Sequence, residues 1–269
     1  MSKIELPPSL TVETIDKVAI VRLSRPAKRN ALNDETVNGL SFYFRHVPDN
    51  IGAVVLCGDG PHFCAGLDLS EAVATPSLHD GILHSQMWHR AFLDIQFGRV
   101  PVVSLLHGAV VGGGLELAAA AHIRVAEQSA YYGLPEGQRG LFLGGGGSVR
   151  IPRLIGTQRV MDMMLTGRTL SAEEGHAVGI SQYLTAAGAG LAKGVEIASQ
   201  IATNAPVSNF AIMHALPRNG EGDAAAGYFT EALMAGAAQT TPEAKQRLTD
   251  FLGKRAAKVT RPQPDRSAL

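Results

Sequence analysis

Apolar and polar residues alternate in two short runs, Leu10 to Ile15 and Val18 to Leu23, with Asp16-Lys17 between them, a pattern that predicts a β-hairpin. The period then lengthens. Asn33 or Asp34 can cap a helix reaching about Val47, because either side chain accepts hydrogen bonds from the unpaired N–H groups of a first turn. Ala53 to Cys57 and Pro101 to Leu106 are short continuous apolar runs, as in buried strands. Between them Leu78, Ile82, Leu83, Met87, Phe92 and Ile95 recur mostly at three- and four-residue spacing, predicting an amphipathic helix over Ser77 to Gly98. A strand at Ile123 to Ala126, an extended Tyr131 to Leu134 and helices at Ser148 to Leu154 and Thr157 to Leu165 follow. Ser171-Ala172-Glu173-Glu174 has the capping-box pattern of another helix, and Val178 to Leu184 is expected to return as a strand.

Beyond Gly188 only helical patterns remain, at Leu191 to Thr203, Pro206 to Leu216, Ala224 to Ala235 and Pro242 to Lys258, the last with Thr241 as N-cap and Pro242 in its first turn. The organisation expected is a core over residues 1–188, a helical region over 189–258 whose apolar stripes pack against the core or another subunit, and a disordered tail over 259–269.

A chain of 269 residues with 45% hydrophobic content can bury a sizeable core. Lys plus Arg and Asp plus Glu both number 24, so the overall charge carries no footprint of a nucleic-acid partner. One local basic cluster, Arg25, Lys28 and Arg29, is either a solvated loop or a phosphate contact. Cys57 and Cys64 form neither a disulfide framework nor a zinc pattern. His79, His84 and His89 are five apart, about 500 degrees of helical rotation, so they do not share a face as metal ligands would. No metal is expected. With no basic-then-apolar leader and no apolar run of about 18 residues, a soluble cytoplasmic protein without membrane contact is expected. The ending Ser267-Ala268-Leu269 lacks the lysine of a peroxisomal Ser-Lys-Leu.

The strongest chemical signal lies at His107 to Ala121. An apolar strand runs into Gly112-Gly113-Gly114 and then a Leu- and Ala-rich helix, a corner where backbone approaches a ligand closely and N–H groups lack partners. Glu116 sits in that apolar helix, where an unpaired carboxylate is costly. Commoner glycine motifs fail: the sixth position from Gly112 is Leu117, no Lys-Ser/Thr pair follows, and Arg150 stands where a hydrolase elbow after Ser148 needs glycine. A second glycine- and proline-punctuated loop, Gly58 to Leu69, exposes backbone at Cys64-Ala65-Gly66. Gly144 to Gly147 mark a loop that is either mobile or too crowded for side chains. Glu116 and Glu136, with one strand between them, either face solvent separately or meet in one pocket. There, with donors nearby, they fit proton transfer next to a carbonyl.

In Arg25-Pro26 with Asn30-Ala31-Leu32, Phe63 to Asp68, His107-Gly108 to Ala118, Pro135-Glu136, Gly144 to Gly147 and Leu165-Thr166-Gly167, the chain resembles the crotonase, or enoyl-CoA hydratase and isomerase, superfamily over roughly residues 10 to 255. The resemblance implies an α/β fold: a crotonase-like (ClpP/crotonase) spiral of ββα repeats with a perpendicular small sheet, then a helical C-terminal region that builds homotrimers, often paired into hexamers. It implies an acyl-CoA thioester substrate, no separate cofactor, and an oxyanion hole made by the N–H groups of Leu67 and Gly113. Glu116 would hold the water added at the β-carbon and Glu136 would exchange the α-proton, giving syn hydration of a trans-2-enoyl-CoA. Lys28 and Arg29 would meet CoA phosphates, Ala31, Ala65, Gly66, Asp68 and Leu69 would lie along the CoA, and Gly144 would line the site. The alternatives are enoyl-CoA isomerisation, another lyase or hydrolase reaction of the family, and a non-catalytic CoA-ester-binding scaffold. Leu67, Gly137, Gln138-Arg139 and Leu143 depart from the hydratase pattern around the acyl group, and Arg139 is a candidate contact for a polar or carboxylated acyl end.

Overall fold

The structure, a computed structural model, describes residues 6–70 and 77–255 and divides into two compact units, Met1–Asn204 and Ala205–Leu269. The first unit is built on a sheet of β1 (Leu10–Ile15), β2 (Val18–Leu23), β3 (Ala53–Gly58), β4 (Val102–Leu106), β6 (Ile123–Glu127) and β9 (Tyr183–Thr185), in the order β1-β2-β3-β4-β6-β9. A second, smaller sheet joins β5 (Ala109–Val111), β7 (Tyr131–Gly133) and β8 (Leu170–Ser171). The β1–β2 hairpin is antiparallel, with Leu10 opposite Leu23, and every later pair in the large sheet is parallel.

Alternation along the strands decides which layer each residue meets. Ala19, Val21, Leu23, Val54, Leu56, Val102 and Leu106 share a core with Val37, Leu40 and Phe44 of α1 (Asp34–Arg45) and with Trp88, Phe92 and Ile95 of α2 (Leu78–Gln96). The chain then forms α3 (Gly113–Ala120), α4 (Gly147–Ile155), α5 (Thr157–Thr166), α6 (Ala172–Val178) and α7 (Gly190–Ala202). Val18, Ile20, Ala53, Val55, Val103 and Val125, on the opposite face of the sheet, pack against Ile197 and Ala198 of α7. A sheet buried on both faces explains why β3 and β4 read as unbroken apolar runs.

Caps follow the sequence pattern. The Asn33 side chain accepts from the Thr36 N–H, and Ser171 and Glu174 form the full capping box of α6. The expected strand over 178–184 is corrected: α6 continues to Val178, Gly179 caps it at φ 99°, and only Tyr183–Thr185 is extended. The boundary expected after residue 188 falls instead after Asn204, because α7 buries its apolar side against the large sheet. In the second unit α8 (Pro206–Asn219) and α9 (Ala224–Thr240) lie against each other. α10 (Pro242–Leu252) starts with Thr241 accepting from the Ala244 N–H. The expected continuation of this helix to residue 258 runs past Leu252, where α10 ends. Residues 256–258 and the expected tail, 259–269, lie outside the described residues. No helix among the described residues is long and apolar enough to cross a membrane.

Candidate active site

The corner between β5 and α3 is built on Gly112, at φ 53° and ψ −124°, a conformation closed to ordinary side chains. A Cβ there would also stand 2.6 Å from Oε1 of Glu136, so the glycine lets that carboxylate close on the backbone. The Gly112 N–H donates to the Gly133 carbonyl at 2.9 Å, tying the corner to β7. Gly113 is the first residue of α3, and its N–H has no acceptor among the described residues.

The loop after β3 runs alongside. Cys64 exchanges backbone hydrogen bonds with Ala109 and Val111 at 2.9 and 3.0 Å, while Leu32 donates to Gly66 at 2.7 Å and accepts from Asp68 at 2.8 Å. These pairings alternate along the segment and leave the Leu67 N–H without an acceptor among the described residues. A Cβ on Gly66 would stand 3.2 Å from the Gly113 nitrogen, and one on Gly113 would stand 3.4 Å from the Leu67 nitrogen. Two unpaired donors from different elements are thus brought side by side on the wall of a cavity of about 470 Å³.

Glu116 and Glu136 line the same cavity, so the two carboxylates meet in one pocket. Their surroundings differ. Oε1 of Glu116 accepts from the N–H groups of Gly145 and Gly147, both at 2.8 Å, whereas Oε2 of Glu136 is buried with no partner among the described residues. Burial pushes the Glu116 carboxyl above its ordinary range, opposed by those N–H groups and by Arg150. Glu136 is pushed up to about 7, first by burial and further by the charge of Glu116, with its own backbone N–H and Arg139 pulling the other way. Hydrogen bonds to an ionised carboxylate favour that form, so of the two Glu136 is the one disposed to hold a proton.

Ala65, Gly66, Leu69 and Gly144, all assigned to CoA by the resemblance, line the cavity, as do Leu67 and Gly113; Lys28, Arg29, Ala31 and Asp68 lie outside its wall. Arg29 accepts at its carbonyl from the Ala65 N–H at 2.9 Å, which sets the exposed Lys28 and Arg29 beside the lining loop. Asp68 has a bracing role: its Oδ2 accepts from Arg25 Nη2 at 2.9 Å and its Oδ1 from the Ser70 hydroxyl at 2.8 Å. Arg25 also donates to the Ala31 carbonyl at 2.6 Å, so one guanidinium holds both loops together.

Several wall residues escaped the sequence reading. His84, Ser85 and Trp88 come from α2, and Leu141 and Phe142 from the segment after a short 3-10 turn, Gly137–Arg139, where Leu143, expected around the acyl group, also lines the cavity. The apolar stripe of α2 was visible, but nothing in it tells core from cavity. Arg139 lies on the wall and is exposed. A Cβ on Gly137 would press on the Met164 carbonyl, which accounts for glycine at that departure. The three histidines of α2 are dispersed, with His84 Nε2 2.8 Å from Asp34, and no cluster of metal-ligating side chains occurs among the described residues.

An α/β spiral whose glycine corner sets free N–H groups beside two carboxylates defines a crotonase-type enzyme fold, and solved structures agree. The chain superposes at a TM-score of 0.89 on a crystal structure provisionally named an enoyl-CoA hydratase from Rhodopseudomonas palustris, 53% identical, covering 94% of this chain and 98% of that one. An enoyl-CoA hydratase from Bacillus anthracis, 28% identical, gives 0.86 over 93% of this chain and 98% of that one. The family model described as enoyl-CoA hydratase/isomerase matches residues 13–262, and the chain belongs to that family. Relatives include the enoyl-CoA hydratase EchA19 of Mycobacterium tuberculosis, 32% identical over 80% of this chain and 83% of that protein. The short-chain-enoyl-CoA hydratase of Clostridium acetobutylicum is 28% identical over 92% of this chain and 95% of that protein.

Proposed function

We propose that the protein is an enoyl-CoA hydratase that adds water syn across the double bond of a trans-2-enoyl-CoA. The observation that carries this reading is the unequal carboxylate pair on one cavity wall, with Glu116 held by two N–H groups and Glu136 unpartnered at Oε2. The thioester oxygen accepts from the Leu67 and Gly113 N–H groups, which stabilise it as enolate charge develops. Ionised Glu116 takes a proton from water as the water oxygen bonds to the β-carbon, and Glu136 gives its proton to the α-carbon. The two carboxylates then exchange roles, and one proton passes back between them to reset the site.

CoA is part of the substrate, and no further cofactor enters the scheme. Its phosphates lie against Lys28 and Arg29, and its pantetheine follows the Ala65 to Leu69 loop. Arg139 on the wall supports an acyl group whose far end offers an acceptor. Isomerisation of a 3-enoyl-CoA needs one carboxylate to carry the proton, and a scaffold needs none; the second carboxylate, held in place by two donors, supports hydration over both. Large apolar residues exposed on the C-terminal helices, among them Phe210, Tyr228 and Phe229, support assembly into a homotrimer or paired trimers. Mixing purified protein with enoyl-CoAs of several lengths and end groups and following loss of the conjugated enoyl absorbance tests the reading. Loss with at least one is expected, and no loss with any would overturn it.

A further inference from the structure

Gly144 to Gly147 run along the cavity into α4, and from Gly145 onward the space a side chain would need is already filled. A Cβ on Gly145 would stand 2.8 Å from a ring carbon of Phe92, and one on Gly147 would stand 2.5 Å from the Glu116 side chain. Gly146 has φ +89°, and a Cβ there would meet Arg150. The segment is therefore held from outside. The Ser85 hydroxyl donates to the Gly144 carbonyl at 2.7 Å, and Arg150 Nη1 donates to the Gly145 carbonyl at 2.8 Å.

Arg150 is buried, and its Nε donates to Oε1 of Gln96, at the end of α2, at 2.7 Å. It forms no direct ion pair with a carboxylate among the described residues. A buried cation without a counter-charge is costly, and the negative group whose field it shares is Glu116, across the glycine segment. The Gly145 carbonyl belongs to the peptide unit that links the two whose N–H groups hold Glu116, so a cation grips the joint between those donors, while Ser85 grips the Gly144 carbonyl of the unit that carries the Gly145 N–H.

We propose that Arg150 is a positioning residue of the active site: through the Gly145 carbonyl it aims the two N–H groups at Glu116, and through its charge it keeps Glu116 ionised, so that the proton of the pair stays on Glu136. This rests on the hydration reading of the pair. The charged and titratable groups around Glu116 are Arg150 from α4 and Glu136 from the segment after β7, with Arg139 beyond Glu136. Arg153 acts on Arg150, and His89 of α2 is kept toward its neutral form by burial and by Arg150.

The test compares R150M, R150K and Q96L with the unaltered protein by steady-state kinetics across pH and by the 13C-carboxyl NMR titration of Glu116, assigned through its loss in E116Q. Misplacement of a catalytic group by about 1 Å costs about 100-fold, so R150M is expected to lose kcat on that order with little change in KM. Its acid limb moves to higher pH, because Glu116 protonates more easily once the cation is gone. R150K, which keeps the charge, restores the Glu116 titration and part of kcat. Q96L frees the guanidinium but leaves its charge, and is expected to lower kcat with the limb in place. An R150M protein with unaltered kcat and an unmoved Glu116 titration overturns the proposal, as does R150K titrating like R150M. If R150M does not fold, an unaltered kcat in Q96L overturns it. An inactive unaltered protein in which R150M still moves the Glu116 titration overturns hydration and leaves the positioning role standing.

Discussion

Replacing Gly113 by proline removes one N–H from the site while leaving α3 its start. Proline is tolerated at the first helical position, where the missing donor has no intrahelical partner. Two effects must be separated. Any side chain at 113 meets Trp88, since a Cβ would stand 2.8 and 3.2 Å from two carbons of its ring, so the indole has to shift. Alanine makes that same demand but keeps the N–H. The donor itself is aimed at an oxygen that becomes an enolate, and losing one such preorganised donor costs about 100- to 1,000-fold in kcat, about 2.7–4 kcal/mol. G113P is therefore expected to fall below G113A by that factor, with KM moving less, in steady-state hydration of a trans-2-enoyl-CoA and with folding checked by circular dichroism. Equal kcat in two folded variants would refute the role given to this N–H.

Other outcomes follow from the carboxylates and the wall. Glu136 gives up a proton during hydration and its carboxyl is pushed up to about 7, so it is competent below that value and loses its proton above it. Hydration kcat/KM should accordingly fall as pH rises through about 7, and a profile that climbs through neutrality would contradict the assignment. E116Q and E136Q should each lower turnover about 100- to 10,000-fold while calorimetry shows CoA-thioester binding intact; a variant that turns over normally removes that residue from the mechanism. R139A should lower kcat/KM on a carboxylated enoyl-CoA about tenfold relative to a plain one, a modest figure because the guanidinium is exposed, and an unchanged ratio would remove it from acyl recognition.

The β1–β2 hairpin was readable from two strand-like runs flanking Asp16-Lys17, and β3 and β4 because unbroken apolar runs are the local consequence of burial on both faces. The α6 capping box and the Thr241-Pro242 start were readable for a similar reason, since caps are written within four residues. Of the small sheet only β7 was readable, as the extended Tyr131 to Leu134; β5 and β8 span three and two residues and exist through pairings across the chain. Val178 looked like the start of a strand because β-branched residues suit one, but the cap at Ser171 and the left-handed Gly179 settle a helix first. Sequence spacing left Glu116 and Glu136 as either separate or joined, and what joins them is the absence of a side chain at Gly112. Asp68 matched a binding motif, yet its partners are Arg25 and Ser70. Arg150 stood out only as a failed hydrolase elbow, since no linear pattern shows that a cation grips the far side of a glycine loop.

The reaction itself is tested most directly by running it in D₂O enriched in 18O and weighing the product. A trans-2-enoyl-CoA incubated with the protein is predicted to yield a 3-hydroxyacyl-CoA with one deuterium at the α-carbon and solvent oxygen at the β-carbon. A product that takes up deuterium but no oxygen, with its double bond moved, would contradict hydration and assign the site to isomerisation.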